Sequence, residues 1–482
     1  MINFRIIARV FSLLLIIEGL FMFFSALISI VYNEPDARSF LYSGLITTVT
    51  GIIVFSPLRN EERIYGKREG YIIVTGIWVI FSLFATLPFL FSGAIKSFTD
   101  AFFEAMSGFT TTGATIITDV EKLPHGILFW RALTQWLGGI GIIVLSLSVL
   151  PVVKAINIQI STAEFSGQSS DKIHPKIKET GKRLVVIYIL ITLTEAIILT
   201  IGGMSVFDAI CHSFSTMSTG GFSTHNNSLT SFSSPFIKVV ITLFMFIAGT
   251  NLTIIYFGLK RNFRKIFSNN EFIYYLIICF VFSVIVSIVL QQKVRLPLGK
   301  SIIDGTFNVI SIITTTGFYT NNWGQWSNFL ILILFVLMFI GGTAGSTSGG
   351  MKVVRLMIMT KNNRMELRRL LHPNAYIPVK LNHKIVPQSI IYNVLVFVTL
   401  YFLIICFGAI VISFMGYDIV TSFGTSAALL GNIGPGLGTL GPFSNYSAVA
   451  EAGKWFMALL MLLGRLELIT VLILFSKSFY RK

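Results

Sequence analysis

The chain has 482 residues, 54% of them apolar and only 12% charged, with a formal net charge of +16. So few charges cannot solvate the surface of an ordinary globular protein of this length, which excludes a soluble enzyme or binding domain and implies a membrane protein. The three cysteines, Cys211, Cys279 and Cys406, are far apart in or beside apolar segments and predict neither a disulfide framework nor a zinc site.

In chain order, apolar stretches that match the ~20 residues of a helical span fall at 9–31, 40–57, 70–92, 126–150, 184–204, 235–258, 273–291, 327–358, 388–415 and 452–476. The first is too long for a signal-peptide core, and no small-residue cleavage pattern follows it. It reads as a retained span. Four half-length apolar segments lie between the later spans, near 100–112, 208–220, 304–316 and 418–433. At ~1.5 Å per residue they are too short to cross. They must enter and return, which is tolerated only where the irregular backbone is buried in protein or lines an aqueous cavity.

Each half-length segment ends in a short polar motif: Thr110-Thr-Thr-Gly113, Thr219-Gly-Gly-Phe222, Thr314-Thr-Thr-Gly317 and Gly431-Asn-Ile-Gly434. An aspartate stands 13 residues before the glycine in the first three (Asp100, Asp208, Asp304), and a serine stands 6 before it (Ser107, Ser215, Ser311). The fourth copy is irregular, with Asp418 and Ala428. Such fixed offsets mark an internal repeat. The four aspartates are expected to cap the half-helices, since Asp is a preferred N-cap. The negative helix ends then favour a cation at the membrane centre. Glycine supplies the positive φ that a backbone needs to present successive carbonyls to one axis. The expected fold is an all-α polytopic membrane protein with four span–pore-loop–span repeats around one central pore, plus two extra N-terminal helices. The divisions are 1–69, then repeats at 70–183, 184–271, 272–387 and 388–482. The expected cargo is potassium, held by the carbonyls of Thr111, Thr112, Gly113, Thr219, Gly220, Gly221, Thr315, Thr316, Gly317, Asn432, Ile433 and Gly434.

Two further features lie inside the later spans. The run Gly341, Gly342, Thr343, Ala344, Gly345, Ser346, Thr347, Ser348, Gly349 and Gly350 cannot hold a regular helix well, because each glycine costs about 1 kcal/mol relative to alanine. A flexible intramembrane loop is expected there. Arg465 stands near the middle of the span 452–476, too far from its end to snorkel, and such an arginine usually faces the bundle interior. Glu467, two residues on, lies on another helix face and is not its obvious partner. The expectation is a gate formed by the glycine loop and Arg465.

These residues resemble the Trk/Ktr/HKT superfamily of potassium transporters, and are closest to the TrkH-type membrane subunit. The matching segments are Ser107–Thr115, Ser218–Thr224, Thr314–Thr320 and Asn432–Gly436, and the likeness extends over essentially the whole chain, including the two leading spans. The resemblance implies potassium selectivity, a membrane subunit that is a homodimer, and a cytosolic TrkA-type nucleotide-binding regulatory subunit as partner. It also implies a loop beneath the filter that controls permeation, and a pore-facing arginine in the last helix. In plant relatives a serine at the first filter glycine accompanies sodium transport. Here that position is Gly113. In the second repeat Gly220 and Gly221 leave the register open, and Gly221 is preferred because Phe222 and Thr224 then align with Phe318 and Thr320.

Alternating sides from a cytoplasmic N-terminus puts 27 of the 37 Lys and Arg residues inside, as the positive-inside rule requires. Both termini are then cytoplasmic, in the inner membrane of a bacterium. Basic character therefore orients the protein and argues against a nucleic-acid partner. Lys293, Arg295 and Lys300 form the one local departure, an outer cationic cluster. The alternatives are a KtrB-like sodium-dependent potassium transporter and, less well supported, a membrane-embedded enzyme. No H-E-x-x-H or G-x-S-x-G occurs, and Gly436-x-Gly-x-x-Gly441 follows a half-helix rather than a strand. Segments 154–183 and 359–387 are basic enough to meet either the regulatory partner or anionic lipid.

Overall fold

The structure is a computed structural model and describes residues 2–58, 66–148, 173–382 and 384–481. Part of the basic segment 154–183 and the end of the span 126–150 lie outside the described residues. Helices α1 (Phe4–Val31) and α2 (Ala37–Phe55) form an antiparallel hairpin. Asn3 caps α1 by accepting hydrogen bonds from the amides of Arg5 and Ile6. The hairpin closes through small residues: a Cβ on Gly44 would meet the Phe23 ring, and one on Gly51 would meet Ile16. Such close approach is the usual way helices pack where lipid removes the hydrophobic driving force.

One element order then repeats four times: a long helix, a half-length helix, an extended segment and a second helix. The first set is α3 (Lys67–Phe91), α4 (Phe98–Phe109) and α5 (His125–Ser148). The second is α6 (Ile173–Ile201), α7 (Val206–Met217) and the pair α8 (Pro235–Ala248) and α9 (Leu252–Leu259). The third is α10 (Asn270–Lys293), α11 (Leu298–Ile313) and the pair α12 (Asn328–Leu337) and α13 (Val353–Leu371). The fourth is α14 (Gln388–Phe414), α15 (Ile419–Leu430) and the pair α16 (Glu451–Arg465) and α17 (Ile469–Leu472). The half-length helices are almost wholly buried except at their first turns, whereas the long ones expose apolar side chains such as Leu27, Phe280 and Phe407. An outward apolar surface around a buried polar centre is the arrangement a bilayer selects.

Three of the four closing spans are broken among the described residues. The sequence predicts the interruption at the glycine run 341–350, but reads the spans 235–258 and 452–476 as continuous helices. The axis turns by 110° between α8 and α9 and by 112° at the end of α16, and the glycine run separates α12 from α13. At the second break Glu467 and Leu468 hold φ values of 57° and 53°, which a right-handed helix cannot contain. Arg465 is consequently the last residue of α16, not a mid-span residue, and its side chain leaves the helix at the bend.

Candidate functional site: the fourfold ring and the loop beneath it

Each half-length helix ends in the same turn. The amides of Thr112, Gly220, Thr316 and Ile433 bond back to the carbonyls of Ser107, Ser215, Ser311 and Ala428, at 2.8–2.9 Å. The amides of Thr111, Thr219, Thr315 and Asn432 bond to carbonyls three residues earlier, at 2.9–3.2 Å. This is the Schellman arrangement, which needs a left-handed residue just past the helix end. Here that residue is never glycine: Thr111, Thr219, Thr315 and Asn432 have φ of 51°, 56°, 57° and 55°. A left-handed non-glycine residue costs of order 1–3 kcal/mol, and a fourfold repetition of it belongs to a site that needs it. Two residues on, Gly113, Gly221, Gly317 and Gly434 also take positive φ, 78° to 98°. The register of the second and fourth copies is therefore Gly221 and Gly434.

The four turns close on one another. A Cβ on Gly113 would overlap the carbonyl oxygen of Gly220, one on Gly221 that of Thr316, one on Gly317 that of Ile433, and one on Gly434 that of Thr112. The chain of contacts returns to its start, so the four backbones form a ring with only hydrogen at each α-carbon. All four glycines also border a small cavity of about 60 Å³, with Arg131, His225 and Tyr319 among its other walls. We call this the vestibule. At ~332/(ε·r), the negative ends of four converging helices raise the attraction for a cation in such a low-dielectric centre.

Side chains that the sequence reading missed brace the ring. Gln135 on α5 donates from Nε2 to the Gly220 carbonyl at 2.7 Å and accepts at Oε1 from the Phe222 amide at 3.1 Å. One turn away on the same helix, Arg131 Nε pairs with Glu104 Oε1 at 2.9 Å, and its guanidinium carbon sits 4.2 Å from the Phe222 ring centre. Glu104 in turn accepts from the Ile116 amide at 2.9 Å. Both charges are buried, and removing one partner of such a pair costs about 3–5 kcal/mol. Asn432 Nδ2 reaches the Thr112 hydroxyl at 3.0 Å and the Met461 carbonyl at 2.9 Å, joining the fourth copy to the first. The available signal was Arg131 and Gln135 spaced i, i+4 in an otherwise apolar span.

Three of the four aspartates do not cap their helices. Only Asp418 does so, accepting from the amides of Val420 and Thr421 at 3.1 and 3.2 Å. The N-cap positions of α4, α7 and α11 are Ser97, Ser205 and Pro297, so Asp100, Asp208 and Asp304 lie inside the helices. Their carboxylates turn outward to other elements. Asp100 pairs with Lys454 of α16 at 2.5 Å, and Asp304 with Lys238 of α8 at 3.6 Å. Asp208 accepts from the hydroxyls of Ser205 and Thr224 at 2.7 and 2.6 Å.

The run 341–350 lies directly under the ring. Its neck is closed by the Gly341 amide on the Met351 carbonyl at 2.8 Å and the Val353 amide on the Gly342 carbonyl at 3.1 Å. The Gly349 amide donates to the Thr315 hydroxyl at 2.7 Å, tying the loop to the ring. Thr347 donates its hydroxyl to the carbonyls of Met217 and Ala248, at 3.0 and 3.2 Å. Glu271 Oε1 accepts from the amides of Ala344 and Val354 at 2.7 and 3.2 Å, bracing both ends, while Lys352 Nζ bonds to the Ser348 carbonyl. The run is thus a non-helical loop, as the sequence predicts, and its backbone groups are bonded to neighbouring elements.

Arg465 meets this loop. Its Nη1 donates to the Thr347 carbonyl at 2.7 Å, and its Nη2 to the Gly138 carbonyl of α5 at 3.1 Å. The residue is 3% exposed and has no carboxylate partner among the described ion pairs. Glu467 pairs instead with Arg355 at 2.5 Å.

A ring of four re-entrant loops from one polypeptide, enclosed by spanning helices, defines a single-chain pore-loop membrane protein. The chain is matched over residues 42–481 by the family described as TrkH, cation transport protein, and it belongs to that family. It is 38% identical, over 100% of both chains, to the Trk system potassium uptake protein TrkH of Escherichia coli K12. Identity to the TrkH of Halomonas elongata is 36%, over 99% of each chain. The crystal structure of the potassium transporter TrkH from Vibrio parahaemolyticus superposes with a TM-score of 0.91 at 34% identity, covering 100% of both chains.

Proposed function

We propose that the protein takes up potassium across the cytoplasmic membrane of a bacterium through the fourfold ring. The observation that carries this is the closed sequence of glycine-to-carbonyl contacts, joined by the left-handed residues two positions earlier. Backbone oxygens held at fixed spacing replace the water of a dehydrating cation. The filter is formed by Thr111–Gly113, Thr219–Gly221, Thr315–Gly317 and Asn432–Gly434, one segment from each of the repeats 70–183, 184–271, 272–387 and 388–482. Potassium is cargo, and the relatives named for potassium uptake support that choice. Purified protein in liposomes should accumulate potassium saturably and prefer it to sodium. Absence of flux, or equal flux of the two ions, would sink the reading.

The run Gly341–Gly350 and Arg465 act as the gate. The bond from Arg465 to Thr347 fixes a loop that lies beneath the ring, and the guanidinium charge repels a descending cation. Helix α13 leads from the loop neck at Val353 to a basic end that exposes Leu367, Leu370 and Leu371. A cytosolic nucleotide-binding subunit of the TrkA type docks there and works the gate through α13, with the membrane subunit present as a homodimer. Both termini are cytoplasmic in this arrangement, and the vestibule faces out.

A further inference from the structure

The outer cationic cluster is not used by the pore. Lys293 ends α10, Arg295 lies in the turn with φ of 58°, and Lys300 is in the first turn of α11. All three are exposed, and no ion pair among the described residues includes any of them. Four other cations of this face are paired, Lys454, Lys238 and Lys122 with aspartates and Arg131 with Glu104. Arg38 and Lys96 are exposed and stand singly, whereas Lys293, Arg295 and Lys300 fall within eight residues of one another. Three unpaired cations stand on the side from which α11 descends to the ring, against the charge bias of the chain.

Directly below them the same two helices part. A crevice of 510 Å³ runs between α10 and α11, from Leu276 up to Gln291 on one wall and from Ile310 up to Leu298 on the other. Its upper limits, Gln291 and Leu298, are each two residues from a lysine of the cluster. From Leu276 to Gln291 the wall rises roughly 22 Å at 1.5 Å per residue, more than the ~15 Å of one leaflet's hydrocarbon. The lining is apolar apart from Ser283, Ser287, Thr306 and Gln291. Ser283 and Ser287 are 7% and 8% exposed, and their hydroxyls have no hydrogen-bond partner among the described residues.

We propose that this crevice is a site for an anionic phospholipid of the leaflet on the vestibule side. The phosphate sits among Lys293, Arg295 and Lys300, and one acyl chain fills the channel between α10 and α11. A zwitterionic lipid satisfies the apolar part but not the uncompensated charge, so the site discriminates by headgroup. Binding there braces α11, whose lower end carries Thr314–Gly317 of the ring.

The test is native mass spectrometry of the purified full-length protein presented with phosphatidylglycerol or phosphatidylcholine of identical chains. Wild type is expected to retain phosphatidylglycerol preferentially. The triple change Lys293→Ala, Arg295→Ala, Lys300→Ala should weaken phosphatidylglycerol by roughly a hundredfold and leave phosphatidylcholine unchanged, since each cation against an anionic headgroup is worth about fivefold. Ile302→Trp, which fills the crevice from a lipid-exposed position, should weaken both lipids. If the triple variant does not purify folded, the single changes carry the test at about fivefold each. Equal retention of the two lipids by wild type, or an unchanged phosphatidylglycerol preference in the charge variants, overturns the proposal. So does a shift of the variants from dimer to monomer with lipid retention intact, because a second copy of the chain then covers this face.

Discussion

At the residue scale the ring separates two kinds of strain. The glycines avoid a steric overlap that any other residue would create, whereas Thr111, Thr219, Thr315 and Asn432 accept an unfavourable φ although a glycine there would relieve it. At three of the four positions a β-branched threonine stiffens the turn and supplies a hydroxyl, as Thr315 does in accepting from the Gly349 amide. Gly113→Ser should therefore lower the potassium-to-sodium permeability ratio severalfold, because its Cβ displaces the Gly220 carbonyl and the backbone resists φ of 80°. Reversal potentials under bi-ionic conditions measure this, and an unchanged ratio removes Gly113 from the filter. A second residue sets a pH response. His225 borders the vestibule with Nδ1 at 3.3 Å from Glu121 and Nε2 at 3.9 Å from Asp208. The Asp208 carboxylate beside it raises its pKa above the ordinary imidazole value, against partial burial, and Glu121 adds to the rise. The protonated ring stabilises the fold at low pH, and that contribution is lost as pH climbs through the raised value. The vestibule then gains one net negative charge. The KM for potassium should fall as external pH rises through that window, and His225→Gln should flatten the dependence. A KM in that variant that still follows external pH would assign the effect elsewhere.

At the element scale, the half-length helices and the glycine loop were legible because membrane physics makes short apolar segments and glycine runs anomalous. What was not legible was where they start and bend. A spacing of 13 residues from Asp to Gly is constant in three copies, yet α11 begins six residues before Asp304 while α4 and α7 begin two residues before theirs. The partners of Asp100 and Asp304, Lys454 and Lys238, lie on other elements and leave no local signal. The breaks after Ala248 and Arg465 were hidden for a related reason. No proline marks either bend, and the left-handed residues at the second are Glu467 and Leu468, ordinary helix formers. Arg465 stands against Thr347 just before the second bend, the contact with the glycine loop that the sequence led us to expect. Arg465→Ala should then raise potassium flux and reduce its dependence on the cytosolic partner, and shortening the loop by removing Gly349 and Gly350 should act likewise. The two changes together should give less than the product of their separate effects, since they disable one gate. Stopped-flow flux into vesicles gives all three values. Fully multiplicative effects would mean that Arg465 and the loop act independently.

At the scale of the whole molecule, charge and helix geometry make the same assignment from independent sources. The sequence places 27 of 37 basic residues on one side, and the four half-length helices all descend from the other. Several of the cations counted outside turned out to be structural. Arg131, Lys238 and Lys454 are held by Glu104, Asp304 and Asp100, two of them linking one repeat to the next, so they say little about orientation. The orientation can be read with single cysteines in a background where Cys406, exposed on α14, is first changed to Ser. Ala448→Cys, exposed beside the vestibule, should react in intact cells with a maleimide that does not cross the membrane. Asn363→Cys, exposed on α13 below the gate loop, should react only after permeabilisation. The reverse pattern would point the negative helix ends outward, place the basic end of α13 outside, and deny a cytosolic partner any hold on the loop.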